Sequence, residues 1–181
     1  MFDWEIEIAA IIGKRAPYVS ATEPLDYVAG FTVAMDLWAR DFERAPEQFC
    51  KFDWVVARAF DTGCPIGPWI VDAAAMFDPQ DARLKLRIND ELNQDSHSNR
   101  MICSVAEQIA RLSEIMTFDG GDLLLTGTPA GAGAKSHFFE GRRSHRSGNR
   151  ADWAAQRHHS HVAPLSARTK GELNWRKARG Q

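Results

Sequence analysis

The sequence predicts a β-rich α+β domain with few helices. Short runs of apolar or alternating residues, bounded by Gly and Pro, recur along the first 136 residues, which is the pattern of strands. An amphipathic helix pattern is convincing at one place, residues 104–116. The chain has 181 residues and is 44% hydrophobic, which suits one soluble domain with a real core.

The first predicted element is a strand over residues 3–13, DWEIEIAAIIG. Because strand side chains alternate between faces, Asp3, Glu5 and Glu7 share one face and the apolar residues share the other. One interpretation is a half-exposed strand whose wet side carries the acids. The other follows from AAIIG, which is apolar on both faces and indicates a strand entering the interior. Carboxylates buried there need a cation or hydrogen-bond donors.

The central elements are predicted from turn signals and alternation. Residues 13–30 indicate a turn and a short helix that lead into a strand over residues 30–36, GFTVAMD. Residues 53–71 indicate strand and loop interrupted by Gly and Pro. Residues 82–95, ARLKLRINDELNQD, alternate as a hairpin with the dipeptide ND at the turn.

The last predicted elements are the helix and a strand that runs into a glycine-rich loop. Ser104 and Glu107 form a capping box at the start of the helix. Residues 123–134, LLLTGTPAGAGA, indicate a buried strand followed by the loop. A P-loop is disfavoured because Pro129 and a later alanine stand where its glycines are required. The loop can still bind an anion through backbone N–H groups and the Thr128 hydroxyl.

A third acidic residue extends the carboxylate set of the first strand. Asp36 ends the second apolar strand, and alone it is typical of a turn or cap. Together with Glu5 and Glu7 it makes a set of three carboxylates, which is the kind of oxygen site that Mg²⁺ or Mn²⁺ prefers. Zinc would favour His or Cys, and a single histidine precedes residue 137.

Charge divides the chain into two segments. Residues 1–136 carry 12 Lys+Arg and 21 Asp+Glu, whereas residues 137–181 carry 10 and 3 and hold five of the six histidines. The second segment has too few aliphatic residues to fold alone, so we expect a folded domain at 1–136 and a basic, disordered tail at 137–181. No apolar run reaches membrane-spanning length, and the start does not resemble a signal peptide, which favours a cytoplasmic protein.

Five segments resemble the fumarylacetoacetate hydrolase family in order and spacing: DWEIEIAAIIGK, YVAGFTVAMDLWARD, FDTGCPIGPWIV, MICSVAEQIARLS and GDLLLTGTPAGAGA. The resemblance covers residues 2–136 without a gap. It implies a mixed β-roll, incomplete in this chain, that forms a homodimer. It also implies a divalent metal held by Glu5, Glu7 and Asp36.

The resemblance further implies chemistry on small oxo acids such as acylpyruvates, diketo acids or hydroxymuconates. Family members hydrolyse C–C bonds, decarboxylate or tautomerise oxo acids, isomerise dienoates or cleave ureidoglycolate. The implied cofactor is Mg²⁺, with Mn²⁺ or Ca²⁺ as alternatives, acting as the Lewis acid that stabilises an enolate. Arg40, Gly127 and Thr128 match positions that hold a substrate carboxylate or carbonyl. The expected partners are an oxo-acid substrate and a second copy of the chain; a membrane is not expected, and nucleic acid is disfavoured.

Two departures from the family pattern concern catalysis. Arg58 stands at the family's lysine position before the FDT motif. It either preserves the positive field or loses the proton-transfer function, since arginine stays charged. The general base is expected in a segment that precedes the DWEIE motif in the family. A metal-binding scaffold or subunit without activity is therefore the alternative function.

The basic tail also departs from the family, whose members end in further strands. One hypothesis is a frameshift near residue 137, because reading the codons one base later can yield an alternating sequence with a family-like glycine. The rival is a genuine basic arm that binds nucleic acid or an acidic partner. Neither a recognisable binding fold nor an interleaved aromatic pattern supports the arm.

Overall fold

The computed structural model describes residues 2–47, 49–75 and 78–133 and the backbone of residues 151–157. In chain order its strands are β1 (Phe2–Asp3), β2 (Ile6–Ile12), β3 (Val28–Met35), β4 (Trp38–Ala39), β5 (Val71–Asp72), β6 (Ala82–Ile88), β7 (Glu91–His97), β8 (Leu123–Leu125) and β9 (Ala151–Arg157). The helices are α1 (Trp54–Arg58) and α2 (Val105–Ser113), with 3₁₀ turns at Pro24–Tyr27 and Ser98–Arg100. The predicted β-rich α+β fold is confirmed. In the described part of the chain no helix has both the length and the apolar character needed to cross a membrane.

The sheet that positions the site is antiparallel and has the strand order β5-β3-β2-β8. A second sheet has the order β7-β6-β9, and a two-stranded ribbon pairs β1 with β4. Side chains of β2, β3, β6 and α2 form much of the core, in which Ile6, Leu86 and Ile109 are fully buried. The apolar runs of β2 and β3 are buried along almost their whole length, which leaves the polar residues of these strands inside the protein.

The predicted strand over residues 3–13 is divided in the structure. Asp3 lies in β1, which pairs with β4, whereas β2 begins only at Ile6. The half-exposed interpretation is wrong, because Glu5 and Glu7 are only 7% and 3% exposed. The acids of this segment therefore lie inside the protein, where their charge has to be balanced.

Two local predictions are confirmed. Strands β6 and β7 form the hairpin, and the left-handed backbone at Asn89 (φ 51°) and Asp90 (φ 69°) is what a tight two-residue turn requires. Ser104 and Glu107 make both hydrogen bonds of the capping box. Helix α2 then ends at Ser113, earlier than the apolar pattern predicts.

A short helix, α1, forms within a region where the sequence predicts strand and loop. The Asp53 side chain caps the helix by accepting a hydrogen bond from the Val56 N–H at 3.0 Å. Val55 and Val56 are exposed, so their β-branched side chains gain nothing from strand packing. Local capping therefore decides the conformation here.

One strand lies within the segment predicted as a tail. The backbone of Ala151–Arg157 pairs antiparallel with Ala82–Ile88, along the whole of β6. Residues 151–157 thus form a strand where the sequence predicts a disordered tail. The other residues of 137–181 lie outside the described residues. The division of the chain at residue 136 stays a prediction.

Candidate metal centre

Three carboxylates meet next to the start of β2. Glu5 is in the link between β1 and β2, Glu7 lies in β2, and Asp36 follows the last residue of β3. The antiparallel register of β2 and β3 brings them together, and the Asp36 N–H donates to the Glu5 carbonyl at 2.9 Å. One oxygen atom from each carboxylate lies within 4.8 Å of the other two.

Burial raises the pKa of all three carboxyl groups above their ordinary values. The pKa of Glu7 rises to about 7, although the hydrogen bond that it accepts from the Gly127 N–H, at 2.7 Å, opposes the rise. For Glu5 and Asp36, loss of solvation is again the largest cause of the raised pKa, and the Arg58 guanidinium opposes it. A cation bound among these carboxylates would relieve the same energetic penalty.

Arg58 is the last residue of α1 and reaches these carboxylates. Its Nη1 donates to Glu5 Oε2 at 2.8 Å and also to Asp36 Oδ2. The guanidinium carbon lies 3.8 Å from the centre of the Trp38 ring, which is a cation–π contact. The structure thus places Arg58 in direct contact with two of the three predicted metal ligands, Glu5 and Asp36.

Arg40 also stacks on Trp38, with its guanidinium carbon 3.4 Å from the ring centre. Its Nε and Nη2 donate to Asp3 Oδ2 at 3.0 and 2.7 Å, and its Nη1 donates to Glu43 at 3.3 Å. Nη2 lies 3.7 Å from Glu5 Oε1, at the edge of the cluster. Arg40 is therefore engaged with carboxylates of the protein, and its predicted role in holding substrate stays a prediction.

The glycine-rich loop after β8 contacts the strand that carries the carboxylates. Gly127 has φ +89°, a left-handed backbone that suits glycine, and its N–H points to Glu7. Thr128 Oγ1 donates to the Ile6 carbonyl at 2.8 Å and accepts from Gln94 Nε2 at 2.8 Å. The hydroxyl proton of Thr128 is thus used inside the protein. The substrate roles of Gly127 and Thr128 stay predictions.

Asp3, Trp38 and Gln94 shape this site although the sequence assigned them no site role. Gln94 Oε1 accepts from the Ile6 N–H at 3.0 Å, and Nε2 also donates to the Pro129 carbonyl at 2.9 Å. Asp3 had a signal, because it begins the series of alternating acids. A glutamine in a hairpin and a tryptophan after a strand give no comparable signal.

The donor set fits a hard divalent cation. Oxygen ligands at about 2.1 Å from an octahedral ion lie about 3.0 Å apart at adjacent positions and about 4.2 Å apart at opposite positions. Oxygens of Glu5, Glu7 and Asp36, within 4.8 Å of one another, can reach such positions through small side-chain adjustments. Arg58 complicates this fit, because its Nη1 already bonds two of the three side chains.

Comparison with known protein families identifies the family to which this chain belongs. The family model described as fumarylacetoacetate (FAA) hydrolase C-terminal matches residues 1–168. The chain belongs to the fumarylacetoacetate hydrolase family. The predicted family is thereby confirmed, and the match extends past residue 136 into the segment predicted as a tail.

The relatives of this chain include a protein named as an enzyme. Oxaloacetate tautomerase FAHD2B, a mitochondrial protein of Bos taurus, is 43% identical over 131 residues, which are 72% of this chain and 41% of that protein. The chain thus spans about two fifths of the length of this curated relative.

Solved structures of the family share the fold. Fumarylpyruvate hydrolase from Pseudomonas aeruginosa, in complex with Mn²⁺ and pyruvate, aligns with a TM-score of 0.71 at 30% identity, over 85% of this chain and 61% of that chain. The 5-carboxymethyl-2-hydroxymuconate delta-isomerase from Mycobacterium smegmatis aligns with a TM-score of 0.70 at 30% identity, over 86% and 55% of the two chains.

Proposed function

We propose that this protein is a divalent-metal-dependent enzyme that hydrolyses, isomerises or decarboxylates 2-oxo acids such as acylpyruvates, diketo acids or hydroxymuconates. The observation that carries the proposal is the convergence of Glu5, Glu7 and Asp36 within 4.8 Å at a largely buried position. The names of two relatives support the substrate class, because oxaloacetate and fumarylpyruvate are both 2-oxo acids.

The three carboxylates are the residues that would hold Mg²⁺ or Mn²⁺. The bound ion supplies Lewis-acid stabilisation of the negative charge that develops on an enolised 2-oxo acid. Glu7 is oriented by its place in β2 and by the Gly127 N–H, and Asp36 is anchored through its own N–H to the Glu5 carbonyl. The strand register and these hydrogen bonds therefore hold the carboxylates in place before a metal ion binds.

The surroundings of the carboxylates suit an anionic substrate. Arg58 brings a positive charge to this edge of the site, and arginine does not lose this charge at neutral pH. The same property means that Arg58 does not accept a proton from the substrate. The proton acceptor of the reaction is therefore another group.

Metal binding and turnover test the proposal together. Addition of Mn²⁺ or Mg²⁺ should raise the melting temperature of the wild type and leave those of Glu7→Gln and Asp36→Asn unchanged. Glu114→Gln is a matched control, because it removes an exposed carboxylate at the end of α2 and should respond like the wild type. Turnover of oxaloacetate or an acylpyruvate should require the added metal. A wild-type protein whose melting temperature ignores both metals would contradict the proposal.

A metal-binding scaffold without turnover is the second candidate function. Arg58 favours it, because a guanidinium bonded to Glu5 and Asp36 supplies charge but no proton transfer. Metal-dependent stabilisation without turnover of oxaloacetate or acylpyruvates would select this candidate.

A further inference from the structure

Arg58 bonds carboxylate oxygens that a bound cation would need as its ligands. One nitrogen, Nη1, bonds Glu5 Oε2 at 2.8 Å and also bonds Asp36 Oδ2. One guanidinium thus bonds two of the three proposed ligands, and its single positive charge offsets one of their two negative charges. A divalent cation on the same carboxylates would lie beside a fixed positive charge, and like charges repel at such short range.

We infer that Arg58 is an internal competitor of the divalent cation and has to leave Glu5 and Asp36 before the cation binds. The inference rests on the proposed function, because it concerns the same carboxylates. In the metal-free protein the guanidinium stabilises the cluster. In the metal-bound protein the ion takes over this role and the Arg58 side chain moves away.

The surroundings of Arg58 permit this movement. Its side chain is 21% exposed, so part of Arg58 borders solvent. Helix α1 is five residues long and buries Ala57, whereas Trp54 and Val55 are exposed. The Trp38 ring offers a stacking surface beside the site. Arg58 can therefore release the two carboxylates without opening the core.

Arg40 provides a contrast within the same cluster. It bonds Asp3, whose side chain is fully buried and is not among the proposed ligands. Its closest approach to the ligand Glu5 is 3.7 Å, which is longer than the 2.8 Å of Arg58. Arg40 is therefore suited to a permanent structural pair, whereas Arg58 pairs with the carboxylates that the metal would take.

Competition predicts opposite effects of Arg58→Gln on two quantities. Without metal, the variant leaves neighbouring carboxylates facing one another, so it should melt at a lower temperature than the wild type. With the competitor removed, the variant should bind Mn²⁺ about tenfold more tightly, which corresponds to about 1.4 kcal/mol. If Arg58 merely supported the site, stability and metal affinity would fall together.

Titration with Mn²⁺, followed by the electron paramagnetic resonance of the free ion, measures the dissociation constants. Arg15→Gln is the matched control, because Arg15 pairs with Asp119 at the surface and carries the same charge. The expected dissociation constant is about tenfold lower for Arg58→Gln and unchanged for Arg15→Gln. Equal or weaker binding by Arg58→Gln overturns the inference and leaves the proposed function standing. Absence of binding by both the wild type and Arg58→Gln overturns the inference and the proposed function.

A measurement on the wild type covers the case in which Arg58→Gln does not fold. Nuclear magnetic resonance of isotope-labelled arginine side chains reports whether the Arg58 guanidinium is held by carboxylates or is free in solvent. Saturation with Mg²⁺ should convert the held signal into a solvent-exposed one. A Mg²⁺-saturated protein whose Arg58 signal is unchanged overturns the inference.

Discussion

Gln94 links the hairpin to the carboxylate strand and to the glycine-rich loop, so its replacement should destabilise the fold strongly. The side chain is 1% exposed and makes hydrogen bonds to the Ile6 N–H, to Thr128 Oγ1 and to the Pro129 carbonyl. Gln94→Leu keeps an apolar stem of similar size and removes both the acceptor and the donor. The Ile6 N–H then loses the buried partner that it has in the wild type.

The expected loss can be assigned to these three partners. A buried polar group left without a partner costs about 1–3 kcal/mol. The bond to the Ile6 N–H is buried and carries this cost in full. The bonds to Thr128 and Pro129 are partly buried, so water replaces the lost donor at lower cost. We expect Gln94→Leu to lower the free energy of unfolding by about 2–4 kcal/mol.

Urea denaturation of metal-free protein measures this change. Asn93→Leu is the control, because the Asn93 side chain donates to the Glu91 carbonyl in an exposed hydrogen bond. Its expected cost is about 1 kcal/mol or less. A loss for Gln94→Leu no larger than that of Asn93→Leu would refute the reasoning that Gln94 satisfies buried groups.

Further predictions concern the ion pair, the pH dependence and the loop. Arg40→Met leaves the buried Asp3 carboxylate without its guanidinium, so urea denaturation should show that the free energy of unfolding falls by about 3–5 kcal/mol. The control Arg15→Met removes an exposed ion pair and should cost about 0–1 kcal/mol. Similar losses for the two variants would contradict a structural role for Arg40. Because the pKa of Glu7 is raised from 4.5 to about 7, the folded metal-free protein binds the proton more tightly, so stability should fall by about 3 kcal/mol as the pH rises from 4.5 to 7. Glu7→Gln should flatten this dependence in urea denaturation at several pH values, and an unchanged slope would contradict it. Gly131→Ala places a Cβ on a residue with φ +106° and only 2.5 Å from a backbone carbonyl oxygen. This strain should cost about 1–3 kcal/mol of unfolding free energy and therefore lower the melting temperature. An unchanged melting temperature would refute the strain.

The sequence was sufficient for those parts of the site that depend on local pattern. Glu5 and Glu7 belong to a segment whose apolar continuation indicated burial, and Asp36 ends the neighbouring apolar strand. An antiparallel pair of such strands brings these ends together, which is what the register of β2 and β3 does. Their union as a carboxylate set could therefore be predicted before any coordinates.

The role of Gln94 could not be predicted, because a β-bulge determines it. The pairing of β6 with β7 shifts so that Leu86 lies opposite Gln94 while Arg87 lies opposite Leu92. Simple alternation would put Leu92 and Gln94 on the same face, yet Leu92 is 43% exposed and Gln94 is buried. A bulge depends on long-range packing, which a short sequence window does not contain.

Helix α1 shows a related limit at the site itself. Val55 and Val56 favour a strand by propensity, whereas the cap at Asp53 favours a helix. The helix matters because it carries Arg58 to Glu5, and this contact joins residues far apart in sequence. The family resemblance placed Arg58 at the position of the family's lysine, but neither it nor the local pattern indicated that Arg58 bonds the proposed ligands.

The central claim is that Glu5, Glu7 and Asp36 bind one divalent cation. Crystals grown with Mn²⁺ and measured at the manganese absorption edge test it most directly, because the anomalous signal locates the ion independently of the protein. We expect one ion with an oxygen from each of the three carboxylates at about 2.1–2.2 Å. A crystal with Mn²⁺ at saturating concentration, without anomalous density there and with Arg58 still bonded to Glu5 and Asp36, would contradict the claim.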